Sequence, residues 1–427
     1  MKKKYKFIFI SICLAGCFEN KQKIGVYPVI DVVNNISNYQ RVYCSDFFSS
    51  LEIIPLETNK NILVGGDPFI LANDSLIFVC STIAQNILPP LRNVLVFNRS
   101  GKFLNQIGEI GGGPGEYFGI SSFFLNHENS TVFIEDGLNI FEYEFNGKFI
   151  GSFSLPRIDG HRLGEFSYLE KNLFIGSISY YFGYRQKYFV FDRNGDIVKG
   201  YPGNYIYNHS SNLRNLLLSS LNPIRMDNQL FLKDHVNDTL YTLVNMNLQP
   251  VYVFNFGQYT YPLGEINKEG QREIIPLDVA GSSAIMRVQE MVGTPKYFFY
   301  SIFVPSILPR PKTKPTFRFG RESSTDNIVH CIFDIVSGAN ILLNTDLYHQ
   351  KGINNDINGG LPFFPKYYVG NDVVVDIWQA DYMKEMLTEE YFASQRIKDQ
   401  HAHKKLKELL KHLKYDDNPV VVIAKLK

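Results

Sequence analysis

Short runs of alternating apolar and polar residues recur along the middle of the chain. Each of three stretches combines an alternating strand pattern, a turn that ends in glycine and a second strand. They are NVLVFNRSGKFLNQIG (93–108), NIFEYEFNGKFIGSFS (139–154) and KYFVFDRNGDIVKGYP (187–202). The turn glycines, Gly101, Gly147 and Gly195, are 46 and 48 residues apart. A repeat of about 40–50 residues that holds several short strands is typical of propeller blades.

The turns within these repeats carry their own signal. Asn146-Gly147 and Asn194-Gly195 each separate two strand patterns. Asn-Gly is the strongest short signal of a type I′ hairpin turn, which needs a positive φ at both central residues. The sequence therefore predicts type I′ turns at these two positions.

Further stretches with the same pattern complete the count. They are DPFILANDSLIFVCS (67–81), the four short strands in 223–257, YFFYSIF (297–303) with NIVHCIFDIVSGANILL (327–343), and LPFFPKYYVGNDVVVDIWQA (361–380) with PVVVIAKLK (419–427). The last unit lacks a strand, and SLEIIPLE (50–57) is a strand without a unit. Joining the two ends in one sheet removes an open edge. The pattern predicts an all-β, six-bladed β-propeller over residues 46–427, closed by its N- and C-terminal strands in one blade.

Two segments interrupt the strand pattern. We expect an insertion at about 259–293, with a short helix around Ser283–Met291. A helical segment is predicted at about 383–413, because Leu406, Leu409, Leu410 and Leu413 follow helical spacing. The other face of that helix is rich in lysine. We expect this face to be solvated while the leucines pack on the propeller, although such a helix can also contact an anionic membrane.

The N-terminus has the pattern of an export signal. Four lysines precede a short apolar run, Phe7 to Leu14, and the small-residue motif LAGC ends at Cys17. The run is too short to span a membrane, which takes about 20 apolar residues. The pattern predicts a signal peptide over 1–17 whose motif resembles a bacterial lipobox, with Cys17 as the lipidated residue. The polar, Asn-rich residues 18–45 are predicted to form a flexible tether.

Composition excludes two classes of function. There are 43 basic and 42 acidic side chains, and no basic stripe with interleaved aromatic residues, so nucleic-acid binding is not expected. Without the signal, three cysteines remain, at positions 44, 80 and 331, and they lack the spacing of a zinc site or a disulfide framework. We expect them to be small buried apolar residues.

Four motifs support a family resemblance that covers about residue 45 to the C-terminus. These motifs are IIPLET, VFNRSGKFLNQIGEIGGGPGEY, INNDINGG-LPFFP and DDNPVVVIAKLK. In this order they resemble bacterial lipoproteins of the six-bladed β-propeller type, abundant in gut anaerobes and similar to NHL-repeat propellers. The resemblance implies a fold and an envelope location, and it implies no reaction. Asn358 stands where the resemblance predicts Asp, which weakens a metal-site interpretation of that loop.

The glycine-rich stretch QIGEIGGGPGEY (106–117) does not fit a phosphate-binding loop. No lysine follows Gly111–Gly115, and the three-glycine spacing of a dinucleotide site ends on Glu116. We interpret the stretch as the crossing from one blade to the next, where glycine permits a positive φ. Glu116 is expected near the mouth of the central channel. Its carboxylate could bind a cation, pair with an arginine or accept hydrogen bonds from backbone amides.

Two interpretations of function follow, and the sequence leaves both open. The first is a binding or scaffold module for a glycan, a peptide or an envelope protein. It is suggested by SYYFGYRQKY (179–188), where Tyr184 and Arg185 could stack on a sugar or hold a peptide. The alternative is a metal-dependent enzyme of the lactonase or lyase type with a divalent cation in the channel, for which Glu116, Asp356 and His161 are the candidate residues.

The first interpretation is preferred because the set of candidate metal ligands is sparse and no catalytic triad can be ordered. No catalytic residue and no confident cofactor are assigned. The expected location is the outer membrane of a bacterial envelope. Residues 18–21 after Cys17 contain no acidic cluster, which favours the periplasmic side over the cell surface.

Overall fold

The computed structural model describes residues 27–427 apart from 66–67, 85–90, 204, 208–220, 222, 227–228, 269, 276–280, 282, 314–315, 319–320 and 324–326. The predicted signal peptide, Cys17 and the first part of the predicted tether therefore lie outside the described residues. Strands are numbered β1–β34 and helices α1–α4 in chain order.

Among the described residues, most strands belong to six sheets built on antiparallel meanders. Five of these sheets contain four strands that follow one another across the sheet in chain order, and the sixth combines three late strands with β2. The first contains β3 (Phe69–Ala72), β4 (Leu76–Ala84), β5 (Leu91–Asn98) and β6 (Phe103–Ile107). The second contains β9 (Ser122–Asn126), β10 (Thr131–Glu135), β11 (Asn139–Glu144) and β12 (Phe149–Ser154). The third contains β15 (Gly164–Tyr168), β16 (Phe174–Ser177), β17 (Gln186–Phe191) and β18 (Ile197–Pro202).

The second half of the chain continues the series with additions at its edges. The fourth sheet contains β20 (Ile224–Met226), β21 (Gln229–Leu232), β22 (Thr239–Val244) and β23 (Asn247–Asn255), and β1 (Val29–Asp31) joins β23 in parallel. The fifth contains β26 (Arg287–Gly293), β27 (Tyr297–Phe303), β30 (Ile328–Asp334) and β31 (Asn340–Leu342). The sixth contains β32 (Tyr367–Gly370), β33 (Val373–Trp378), β34 (Val420–Leu426) and β2 (Phe48–Pro55).

Short strand pairs lie in the segments that connect or interrupt the sheets. These pairs are β7 (Glu109–Ile110) with β8 (Glu116–Tyr117), β13 (Arg157–Ile158) with β14 (His161–Arg162), and β28 (Thr316–Arg318) with β29 (Arg321–Ser323). A three-stranded sheet contains β19 (Tyr205–Tyr207), β25 (Arg272–Ile274) and β24 (Leu263–Ile266). Consecutive four-stranded meanders make the fold mostly β and propeller-like, as the sequence pattern predicts.

The repeat is visible in the register of the fourth strands. β6, β12 and β18 each contain a bulge three residues after the turn glycine, at Leu104, Ile150 and Val198. A bulge bends a strand and makes its edge a poor template for pairing with another chain. The same local irregularity in three successive sheets is the structural counterpart of the sequence repeat.

The turns before these bulges differ from the expectation. Gly101, Gly147 and Gly195 have φ values of 81°, 90° and 81°, but neither Asn146 nor Asn194 has a positive φ. The prediction of type I′ turns is therefore wrong. In each turn the glycine amide instead donates to the carbonyl three residues earlier, and only the glycine takes the left-handed conformation. The bulge that follows supplies the twist that a type I′ turn would otherwise provide.

Apolar side chains fill the space between successive sheets. Phe78 and Val132 pack in one cluster between the first and second sheets, and Phe133 and Phe189 pack in another between the second and third. Further clusters join the third sheet to the fourth, the fourth to the fifth, the fifth to the sixth, and the sixth to the first. Cys44, Cys80 and Cys331 are free and buried, which confirms the prediction for these cysteines.

The residues before β2 are more ordered than a flexible tether. Ile30 and Val32 are fully buried in the cluster between the fourth and fifth sheets. Gln40 bridges to Leu343 beside β31, and α1 (Cys44–Phe47) leads into β2. The prediction of a flexible tether is therefore wrong for 27–45, because apolar residues within this Asn-rich segment anchor it along three sheets.

The two interrupting segments also differ from expectation. The helix expected around Ser283–Met291 is wrong, since residues 283–286 form a turn and a bend and Arg287–Gly293 forms β26. A register shift between Val288 and Glu290 disrupts the alternation that would have marked this strand in the sequence. Three helices occupy the stretch near 383–413: α2 (Ala380–Met386), α3 (Glu389–Ser394) and α4 (Gln400–His412). Leu406 and Leu413 are buried in the cluster beside the sixth sheet.

Candidate functional site

Glu116 lies in the crossing between the first and second sheets and closes its own turn. Its Oε2 accepts a hydrogen bond of 2.8 Å from the Gly113 amide. Gly111 is so close that a Cβ there would lie 2.0 Å from the same oxygen. The sequence leaves three roles open for the Glu116 carboxylate, and this contact corresponds to the third, a hydrogen bond from a backbone amide. The crossing lies against the fourth strand of the second sheet, since Gly115 packs on Phe149 of β12.

Asp356 is buried and joins three parts of the chain. Its carboxylate accepts hydrogen bonds from the Ser45 amide (2.9 Å) and hydroxyl (2.6 Å), and Lys398 Nζ lies 3.2 Å from Oδ2. These partners belong to the segment before β2 and to the segment before α4. Nearby, Asn358 Oδ1 accepts hydrogen bonds from Asn355 and the Gly360 amide. The loop therefore holds the fold together, and its carboxylate is already paired.

His161 and Tyr184 come together with Phe182 on the surface of the third sheet. His161 lies on β14, in the connection between β12 and β15, and its imidazole is exposed. The ring stacks on Phe182 with centroids 4.0 Å apart and planes 23° apart, and Tyr184 meets it edge-on at 5.9 Å. Tyr184 Oη donates to the Ile158 carbonyl at 2.8 Å. We call these three side chains the aromatic platform.

Buried groups hold the loop that carries the platform. Lys187 is 1% exposed, and its Nζ donates to the Ile178 carbonyl at 2.8 Å and lies 4.5 Å from the centre of the Tyr180 ring. Burial lowers the pKa of Lys187, and the charges of Asp234 and Glu165 partly oppose this. The Tyr180 hydroxyl lies 3.3 Å from Asp234 Oδ2. Phe182 and Tyr184 are thus presented by a loop whose base is tied to the third and fourth sheets.

Arg185 follows the platform and is exposed. Its carbonyl accepts hydrogen bonds from the Gly203 amide and, at 3.4 Å, from Gln271. Arg157 and Arg162 are direct cross-strand partners in the β13–β14 hairpin, and both are exposed. The structure therefore brings His161 and Tyr184 into contact, and Arg185 follows Tyr184 in the chain. Glu116 and Asp356 lie in other parts of the fold, each in contacts of its own.

A second polar group lies on the first strands of the sheets, and sequence reasoning missed it. Arg225 on β20 donates to the carbonyl of Tyr168, the last residue of β15. His127 directly follows β9, and its Nε2 lies 3.4 Å from the hydroxyl of Tyr367 on β32. We call Arg225, Tyr168, His127 and Tyr367 the axial cluster. Its members come from four different sheets, so no local motif in the sequence marks it.

The charges in the axial cluster influence one another. His127 is exposed, and its partial desolvation among neighbouring side chains lowers its pKa; the Arg225 guanidinium lowers that pKa further, and Asp74 has the opposite effect. Burial also lowers the pKa of Arg225, with Tyr367, Glu128 and Tyr168 opposing. Burial raises the pKa of Tyr367 to about 12, although Arg225 opposes the rise. At neutral pH the cluster therefore has one cation, a neutral imidazole and a neutral phenol.

No cluster of metal ligands, groove or membrane-spanning helix among the described residues points to a further site. No group of three or more His, Cys, Asp or Glu side chains within them could hold a metal ion. A groove of about 460 Å³ lies between α4 and the turn around Gly101, away from both the platform and the axial cluster. None of the described helices is long and apolar enough to cross a membrane.

Comparison with solved structures supports the fold. A Bacteroides fragilis protein named as a candidate exported protein is similar over 93% of this chain and 99% of its own, with 16% identity and a TM-score of 0.63. A member of the DUF4221 family from Bacteroides vulgatus is similar over 89% of this chain and 97% of its own, with 9% identity and a TM-score of 0.49. At 16% identity the likeness to the B. fragilis protein concerns the fold alone.

Sequence comparison identifies the family. No curated protein matches the chain. The profile of one family, described as a domain of unknown function, matches residues 27–425, which is nearly all of the chain that the structure describes. The chain belongs to this family, DUF4934.

Proposed function

We propose that the protein is a binding or scaffold module of the bacterial envelope, which holds a glycan, a peptide or a partner protein on the aromatic platform. The mechanism is rigid presentation of loop residues by a six-bladed β-propeller. Binding of this kind needs little conformational change, so less ordering entropy is lost when the ligand binds.

The six sheets are the blades in this proposal. Six apolar clusters each join two sheets, and the last pair joins the sixth sheet to the first. The sixth sheet combines β2 near the start of the chain with β34 at its end, which supports closure of the ring by the two terminal strands. A closed ring explains why its loops can be held rigidly.

The platform is the observation that carries the proposal. An exposed imidazole stacked on Phe182, with Tyr184 against its edge, offers a flat ring face to a ligand. Rings of this kind bind sugars and peptide side chains through large contact areas with few rotatable bonds. Tyr184 is fixed by its hydrogen bond to Ile158, so the surface is organised before a ligand arrives.

A screen of the protein against glycan and peptide arrays tests the proposal. Affinity for any ligand found is expected to fall about tenfold or more when His161 and Phe182 are both changed to Ala. Tyr415→Ala is the matched control, because Tyr415 is 64% exposed and lies just after α4. Binding that is equal in the platform variant and the control would contradict the proposed site.

We also propose that Cys17 carries the lipid that attaches the protein to the outer membrane, with the periplasmic side favoured. The lipobox pattern supports this, and the candidate exported protein of B. fragilis is consistent with an envelope location. Cys17→Ala is expected to move the protein from the membrane fraction to the soluble fraction and to lower its apparent mass. Unchanged fractionation and mass would rule out the anchor.

A further inference from the structure

The axial cluster combines hydrogen-bond donors that have few partners. A guanidinium has five N–H donors. Among the described residues, the carbonyl of Tyr168 is the one hydrogen-bond acceptor recorded for Arg225, and no carboxylate lies within ion-pair distance of it. Burial removes hydrogen bonds between the guanidinium and water, and one protein acceptor replaces only part of them.

The neighbours of Arg225 extend this donor surface. β20 contacts both β26 and β32, so the first strands of the fourth, fifth and sixth sheets lie close together around Arg225. Tyr367 contributes a neutral hydroxyl from β32, and His127 contributes an imidazole from the end of β9. Two acidic side chains, Glu128 and Asp74, influence the cluster electrostatically, and both act through longer distances than an ion pair.

We propose that the axial cluster is a binding site for the carboxylate group of a small anionic ligand. The planar fork of Arg225 matches the two oxygens of a carboxylate. Tyr367 can donate its hydroxyl to the same group, and the imidazolium form of His127 would add positive charge beside it. This site is separate from the aromatic platform: Tyr168 ends β15, whereas the platform hairpin precedes the start of that strand, about 13 Å away along the five-residue strand.

The test uses two carboxylates from different chemical sources and one neutral analogue. Sodium glucuronate and N-acetylglycine are added to the full-length protein in thermal unfolding and in calorimetric titration, with methyl glucoside as the neutral analogue. Both carboxylates are expected to raise Tm and to bind at one site, and methyl glucoside is expected to do neither. A rise in Tm with glucuronate but not with N-acetylglycine supports a carboxylate site at which contacts with the sugar ring add to the affinity. No effect of either carboxylate, or an equal effect of methyl glucoside, overturns the proposal.

Two variants locate the site. Arg225→Gln is expected to weaken carboxylate binding about tenfold or more. Arg92→Gln is the matched control, because Arg92 is also half-buried and also donates to one backbone carbonyl, that of Ile120. If Arg225→Gln fails to fold, Tyr367→Phe removes a single hydroxyl and is expected to weaken binding severalfold. Unchanged affinity in a folded variant at either Arg225 or Tyr367 overturns the proposal.

The pH dependence provides a further readout that a structural role would not produce. The charged and titratable groups facing His127 are Arg225, Asp74 and Tyr367, with Glu128 beside Arg225. A bound carboxylate favours the imidazolium, so binding is expected to strengthen from about pH 7.5 to about pH 5.5. His127→Gln is expected to abolish this dependence while retaining binding through Arg225. A pH dependence that is identical in the wild type and His127→Gln contradicts the role of His127.

Discussion

Two glycines with nearly the same φ show what a side chain would meet at a turn. Gly101 (φ 81°) faces the Pro55 carbonyl, and a Cβ there would lie 2.0 Å from that oxygen. Gly160 (φ 85°) has open space around it. The left-handed conformation costs a non-glycine residue about the same at both positions. The difference in unfolding free energy between the two Ala variants therefore measures the steric contact with the Pro55 carbonyl.

Gly101→Ala is expected to lower the free energy of unfolding by about 2 kcal/mol more than Gly160→Ala, since backbone atoms must move to make room. Urea unfolding of the two variants measures the difference. Equal losses of stability would mean that the first sheet does not lie against β2 as closely as the structure indicates.

The buried carboxyl group of Asp376 makes the stability of the fold depend on pH. Burial raises the pKa of Asp376 to about 6, against 3.8 for the free side chain. The folded state therefore binds this proton more tightly than the unfolded state, and stability from this group is full below about pH 4 and is lost as the pH rises through about 6. Asp376→Asn removes the titration. The difference in unfolding free energy between wild type and variant is expected to change by up to about 3 kcal/mol between these limits, and a constant difference would contradict the raised pKa.

At the scale of elements, the helices begin where local chemistry places them. Asp399 precedes α4, and its side chain accepts hydrogen bonds from the amides of His401 and Ala402. This N-cap and the burial of Leu406 and Leu413 stabilise α4, the helix that the leucine spacing predicts. β26 was missed because a bulge hides its alternation, and the type I′ turns were wrong because a bulge after the glycine serves the same geometric purpose.

Asp399→Ala is expected to lower the free energy of unfolding by about 1 kcal/mol because it removes the cap of α4. Asp399→Asn can still accept both hydrogen bonds and is expected to retain most of that stability. Asp416→Ala is the control for loss of an exposed acidic charge near the other end of the helix. Thermal unfolding compares the three variants, and an equal effect of Ala and Asn at 399 would exclude a capping role.

At the scale of the whole molecule, the sequence predicted more of the architecture than of the site. The repeat spacing predicts the consecutive β-meanders of a propeller-like fold, and the strand at 50–57 without a unit of its own agrees with the observed pairing of β2 with β34. The candidate site depended on contacts between distant segments. The platform joins a connection after the second sheet to a loop in the third, and the axial cluster joins four sheets, so spacing along the chain predicted neither arrangement.

The pairing of the two chain ends leads to a prediction about truncation. A chain that begins at residue 56 lacks β2 and leaves the edge of β34 open. We expect this chain to aggregate or to unfold at a much lower temperature than one that begins at residue 27, because an open strand edge is a template for pairing. Light scattering and thermal unfolding compare the two chains, and equal Tm values with no aggregation would contradict closure by the terminal strands.

Binding on the aromatic platform is tested by hydrogen exchange of the protein with and without the ligand recovered from the glycan and peptide arrays. We expect slower exchange in the β13–β14 hairpin and in the loop of residues 178–187, with little change in the strands beneath them. Slower exchange confined to other parts of the molecule, with these two segments unchanged, would contradict the claim that the aromatic platform is the binding surface.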